Sequence, residues 1–374
     1  MMMSTSARPA SLTLFLCGDV MTGRGIDQIL ARPSCPELRE SFIHDARDYV
    51  ALAEERNGRI RRAVDPLYVW GAAAEQMARA DARLVNLETS ITAADAFWPD
   101  KGIHYRMHPE NAACLRSARV DACALANNHV LDFGREGLAE TLEVLKAAGI
   151  RACGAGRTAE EARAPARVPV GGAAALLVFA MGAESSGIPP EWAAGADRPG
   201  VELLPDLSEA TAERVAERIR AQRRPGELAV ASIHWGGNWG YAVPGEQSSF
   251  AHRLIDGGVD LVHGHSSHHP RAIEVYRGRL VLYGCGDFID DYEGIGGYEE
   301  FRPELRPMYF ATLALPSGAL QELRIVPLWA ERLTLREARP EEVRWLGSTL
   351  SKVSHCFGTR VEASAGSREL RAAW

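Results

Sequence analysis

The stretch Ala126-Asn127-Asn128-His129-Val130-Leu131-Asp132-Phe133-Gly134-Arg135-Glu136-Gly137-Leu138 decides how this chain is read. It follows a short apolar run, Ala122–Ala126, and opens a segment, Gly134–Ala148, in which Leu138, Leu142 and Leu145 share one helical face and Gly149 stands at the C-cap. An apolar strand that runs out into two amides and an imidazole before a helix is a strand-to-helix junction of an α/β sheet. Ligands of such sheets sit outside the carboxyl ends of the strands. Asn127 or Asn128 can offer a carbonyl oxygen to a hard cation. His129 can take or give a proton, with Asp132 three residues on to hold its second ring nitrogen and fix the tautomer.

The same ending recurs along the chain. Ser11–Cys17 runs into Gly18-Asp19 of GDVMTGRG, Ala82–Leu87 into Glu88 of NLETS, Ala229–Ile233 into His234 of HWGGNWGY, and Asp260–His263 into Gly264-His265 of GHSSHHP. Turn chemistry explains one polar strand end. Five ends carrying Asp, Glu, Asn, His and His are expected to converge on one site. Histidines 265, 268 and 269 fall within five residues, and a hairpin in 271–285, turning at Arg277-Gly278, leads into Asp287, Asp290 and Asp291 of GDFIDD. Asp19, Glu88, Asn128 and His234 are the expected metal ligands. A mixed Asp, Glu, Asn and His set suits a divalent Mn, Mg or Ca ion better than a thiolate zinc site.

The intervals complete an α/β pattern: helices at Ser208–Arg224 and Ser248–Asp256, further strands in 308–328, and a closing helix at 341–357. Residues 31–70 show no clear strand and read as an insertion over the site, 183–200 as a Gly/Pro-rich loop, and 358–374 as a loosely ordered tail. With no repeat and no low-complexity linker, residues 1–374 are expected to form a single domain.

Composition narrows the function. Of 374 residues 46% are hydrophobic and 24% charged, the mix of a globular protein. A net charge of −7 leaves no basic surplus for tracking nucleic-acid phosphates. The positive charge is nearly all arginine; only Lys101, Lys146 and Lys352 are lysines. Seven scattered cysteines without a C-x-x-C pair form neither a disulfide framework nor a zinc knuckle, and point to a reducing compartment. The apolar run near the N-terminus is shorter than a secretory core and leads straight into a polar motif, and no run approaches a membrane span. The expectation is a cytoplasmic chain with no membrane or nucleic-acid partner; the oligomeric state is left open. No G-x-S-x-G elbow, P-loop or H-E-x-x-H helix is present.

Taken in order, GDVMTGRG, NLETS, ANNHVLDFGREGLAETLEVLKAAGI, GAGRTAEEA, HWG, PGEQ, LIDGGVDLVHGHSSH, IEVYRGRLVLY and GDFIDD resemble the motifs of the CapA-type family, named for capsule poly-γ-glutamate synthesis and similar to calcineurin-like metallophosphoesterases. The resemblance runs from about residue 12 to 291. It implies a four-layer α/β/β/α sandwich with a metal site at the strand ends. The chain departs from the family pattern at Asn238-Trp239, Ser266-Ser267 and Asp287, and Glu88 stands near the place of a second metal-bridging aspartate. Those departures shift the expectation toward a cytoplasmic branch: the chain resembles the peptide epimerases of lasso-peptide biosynthesis, which invert the Cα of a precursor's C-terminal tryptophan. The resemblance implies a precursor-peptide substrate and two acid/base pairs, His129 with Asp132, and His265 or His268 with one of Asp287, Asp290 and Asp291. It also implies an indole pocket walled by Trp192, Trp235 and Trp239, with Asn238 and Arg24 beside the substrate. The alternative is a metallophosphoesterase or a capsule poly-γ-glutamate synthesis-type protein.

Overall fold

A computed structural model describes residues 11–171, 174–363 and 367–374. Strand alternation shows how its layers are built. In the strand Ala175–Ala183, Leu176, Val178 and Ala180 belong to one apolar core while Leu177, Phe179 and Met181 belong to a second. Leu228–His234 divides likewise, with Leu228 and Val230 on one side and Ala229, Ala231 and Ile233 on the other. Strands apolar on both faces must be covered on both. The second core is closed by the helices Glu209–Gln222 and Gly245–Asp256 through Ala212, Val215, Ile219, Phe250 and Leu254. The first core is shared with the other sheet.

That other sheet runs from a C-terminal hairpin through Leu320–Ala330, Leu305–Ala314, Ser11–Val20, Ala82–Leu87 and Ala122–Ala124 to Arg151–Cys153. Its helical cover includes Gly134–Ala147, which buries Leu138 and Leu145. The order is helices, sheet, sheet, helices: the four-layer α/β/β/α sandwich. Ser11–Val20, Ala82–Leu87 and Ala122–Ala124 are parallel neighbours in one sheet, and Ala175–Ala183, Leu228–His234 and Leu261–His265 are parallel neighbours in the other. The carboxyl ends of each set therefore lie together. Among the described residues no helix is long and apolar enough to cross a membrane.

One expectation changes. The tail is not loose: Arg360–Ala363 and Leu370–Ala373 pair antiparallel and extend the first sheet beside Leu320–Ala330, with Val361 and Leu370 buried. Its sequence offers few large apolar residues to signal that role. Residues 31–70 hold no strand, as the sequence indicated. They carry the helix Ala46–Asn57, whose Tyr49 packs on Gly25 of the preceding helix Arg24–Ile29. Residues 1–10, including the start of the N-terminal segment, lie outside the described residues.

Candidate metal and acid/base site

Asp19 leaves its strand beside Asp287, its register partner in the short parallel strand Asp287–Ile289. The approach is close: Asp19 N donates to Gly286 O at 3.0 Å, and a Cβ on Gly18 would fall 1.5 Å from that oxygen, so only glycine fits. Asn86, in the neighbouring strand, donates from Nδ2 to Asp19 Oδ1 (2.8 Å) and Glu88 Oε2 (2.9 Å), and its Oδ1 accepts from Asn127 Nδ2 (3.0 Å). Asp19 Oδ2 and Asp287 Oδ2 are buried without a partner. Burial first, then the nearby Asp287, raises the Asp19 carboxyl to about 7; burial, then Asp19 and Asp287, raises Glu88.

The second sheet contributes the imidazoles. Donor atoms of Asp19, His234 and His265 all lie within 4.8 Å of one another. His234 Nδ1 and His265 Nδ1 face each other at 2.8 Å, while His234 Nε2 lies 3.1 Å from Asn128 Oδ1 and His265 Nε2 lies 2.9 Å from Ser232 Oγ. An amide oxygen only accepts, so His234 carries its hydrogen on Nε2. Burial pushes both imidazoles down, which keeps them neutral, and His234 Nδ1 is then a lone pair aimed at its neighbour. Ligands about 2.1 Å from a metal ion and at right angles to each other are about 3.0 Å apart, close to the spacing of these two nitrogens. The unpartnered carboxylate oxygens and facing imidazole nitrogens fit a divalent cation held by Asp19, His234 and His265, with Glu88 at 3.9 Å from His234 Nε2.

Beside this trio stands a histidine–carboxylate pair. His129 Nδ1 meets Asp132 Oδ2 at 2.7 Å and Lys101 Nζ at 3.0 Å, and its Nε2 points toward Glu88 Oε1 at 3.9 Å. Burial, against the opposing pull of Asp132 and with help from Lys101, lowers His129 to about 4. A second pair joins His268 Nδ1 to Asp287 Oδ1 at 2.8 Å; burial opposes its charge, but Asp287 outweighs it and raises the His268 pKa. Between the two histidines stand two tyrosines. Tyr105 packs edge-on to His129, Tyr292 edge-on to His268, and their hydroxyls bond at 2.7 Å.

Several sequence expectations land elsewhere. Asn128 stands beside the trio, its Oδ1 3.1 Å from His234 Nε2. Arg24 is buried beneath the tyrosines and already engaged: its guanidinium pairs with Asp291, with Glu40 at 2.9 Å and with the Tyr49 hydroxyl at 2.9 Å. Asp291 is thereby a structural counter-ion, accepting also from Gly25 N at 2.8 Å, and is not placed as an acid or base. Asp290 is likewise paired with buried Arg306. Trp235 points into the second core, where it packs on Tyr283 and Phe250. Trp192 is buried against Trp98. Of the indole wall only Trp239 stands at the site, 5.4 Å from the His268 ring and stacked on Tyr298 at 3.9 Å. Asn238 is exposed, and its carbonyl accepts from His268 N at 3.0 Å.

Sequence reading missed Asn86, Lys101, Ser232 and His263. Asn86 and Ser232 carried a usable signal, since each lies two residues before a strand-end ligand and so on the same strand face. Lys101, in the loop between short strands, had none.

A family model described as bacterial capsule synthesis protein PGA_cap matches residues 13–292. A probable polyglutamine synthesis accessory protein of Mycobacterium tuberculosis is 49% identical over 359 residues, 95% of this chain and 94% of that protein. The PGA biosynthesis protein CapA of Bacillus subtilis is 26% identical over 260 residues, 68% of this chain and 63% of that protein. Among solved structures, the calcineurin-like phosphoesterase YfkN of Bacillus subtilis aligns with a TM-score of 0.42 at 11% identity, covering 92% of this chain and 97% of that one.

Proposed function

From the premise that the chain belongs to the bacterial capsule synthesis (PGA_cap) family, we propose that it is a metal-dependent hydrolase that trims glutamyl polymer during its formation, with His129 as the proton-transfer group. The convergence of Asp19, His234 and His265 beside the His129–Asp132 pair carries this reading. The mycobacterial likeness over nearly the whole chain supports the polymer-synthesis setting, and favours it over the peptide epimerase expected from the motifs.

A cation held by Asp19, His234 and His265 would supply Lewis-acid polarisation of a substrate oxygen. The protein's own groups do the remaining work. His129, neutral and with Asp132 on Nδ1, presents Nε2 toward the site to move a proton. Asn86 keeps Asp19 and Glu88 in place. Burial and the neighbouring Asp19 and Asp287 carboxylates push the Glu88 carboxyl up, so it holds a proton more readily than a free glutamate.

Incubating Mn-loaded protein with γ-linked glutamyl oligomers and following chain length by mass spectrometry tests the proposal. Shortening that disappears in His129→Ala and Asp19→Ala is expected. Intact oligomers with metal-loaded wild type, or turnover only of an aryl phosphate, overturn it.

A second reading, inversion at the Cα of a peptide's C-terminal tryptophan, draws on the two His–Asp pairs, one to remove a proton and one to return it. Its mark is uptake of one deuterium at Cα of a tryptophan-ending peptide in D₂O, without cleavage.

A further inference from the structure

Ser232 and His263 are fully buried behind the ligand trio. Their hydrogen positions can nonetheless be assigned one by one. His263 Nε2 lies 2.7 Å from the carbonyl oxygen of Cys17, in the opposite sheet. A carbonyl only accepts, so Nε2 bears the hydrogen. Among the described residues His263, fully buried, contacts no carboxylate, and with its ring hydrogen on Nε2 its Nδ1 is a lone pair. Ser232 Oγ, 3.0 Å from that Nδ1, must spend its one hydrogen there. The other contact of the same hydroxyl, 2.9 Å from His265 Nε2, then requires His265 to donate from Nε2. His265 is left with its lone pair on Nδ1, the atom that faces His234.

We propose that Ser232 and His263 are a positioning pair: through this relay they select the tautomer of His265, so that the ring offers Nδ1 to the cation. The inference rests on the metal reading above and extends it to residues outside the ligand set. It also ties the ligand to the first sheet, because the relay ends on the carbonyl two residues before Asp19. Metal-bound histidines depend on the partner of their other ring nitrogen, and loss of that partner typically costs about 10–100-fold in affinity or activity.

The test reads binding and tautomer, not turnover. EDTA-treated full-length protein is titrated with Mn²⁺, and histidine-labelled protein is examined by ¹⁵N–¹H NMR. Ser232→Ala is expected to bind Mn²⁺ about 10–100-fold more weakly with an unchanged thermal melt, and the His265 signal is expected to change from Nε2–H alone to a mixture of tautomers. His263→Asn, whose side-chain oxygen can still accept from Ser232, should stay within a few-fold of wild type, and His263→Leu should fall with Ser232→Ala. Wild-type affinity in a folded Ser232→Ala variant, or an unchanged His265 tautomer, overturns the proposal. Should Ser232→Ala fail to fold, the His263→Asn and His263→Leu pair decides by the same criteria. Should wild type bind no Mn²⁺, the metal reading fails on its own, and the tautomer in the metal-free protein decides the relay.

Discussion

Replacing Asp19 with asparagine should stabilise the metal-free protein at high pH, although it removes a ligand. Asp19 is buried, with one oxygen bonded to Asn86 and the other without a partner, and its carboxyl is raised from 3.8 to about 7. Between those values the folded state keeps a proton that the unfolded chain has released. Stability therefore falls as pH rises through the window and is lowest above 7. Three units at about 1.4 kcal/mol each put the cost of ionising Asp19 on the order of 4 kcal/mol. Asparagine preserves shape and cannot ionise. In urea unfolding of EDTA-treated samples, Asp19→Asn should exceed wild type by about 2–4 kcal/mol at pH 8, and the gap should narrow by roughly 2 kcal/mol at pH 5. Adding Mn²⁺ should reverse the order, because only wild type gains binding energy. If the variant is no more stable than wild type at pH 8, or the gap is indifferent to pH, Asp19 is not carrying an uncompensated charge and the cation site has been misread.

Other outcomes follow from the same geometry. Arg24→Met leaves Asp291 and Glu40 buried without their counter-charge and should cost about 3–5 kcal/mol, seen as a lower melting temperature; an unchanged melt with weaker substrate binding would return Arg24 to the substrate. Trp235→Ala opens a cavity against Tyr283 and Phe250 and should cost about 3–5 kcal/mol in urea unfolding, with cation affinity retained. Lys101→Met should reduce turnover by on the order of tenfold or more while Mn²⁺ affinity stays at the wild-type value, since Lys101 contacts His129 and Asp132 and none of the ligand trio.

What the chain displayed openly was its strand ends. Each of Asp19, Glu88, His129, His234 and His265 terminates or follows an apolar run, and parallel topology brings such ends together. Side-chain direction was hidden. Trp235 follows His234 directly, and neighbours on a strand face opposite ways, so one reaches the site and the other the core. Arg24 and Asp291 sit amid site motifs but neutralise each other across 267 positions of chain, a pairing no local pattern announces. The strand Ala175–Ala183 escaped notice because it is apolar on both faces and preceded by alanines, giving neither helical nor alternating periodicity.

The segment from Trp98 to Tyr105 closes around Asp132 at three points. Trp98 N donates to its carbonyl at 2.7 Å, Tyr105 N to its Oδ2 at 2.6 Å, and the Lys101 ammonium lies 2.7 Å from its Oδ1. Lifting this one strap would strip the aspartate of its amide bond and its cation together, leaving a bare carboxylate against His129. The basicity of that histidine is thus written into the position of this strap, and any molecule that pries the strap aside changes the charge facing His129.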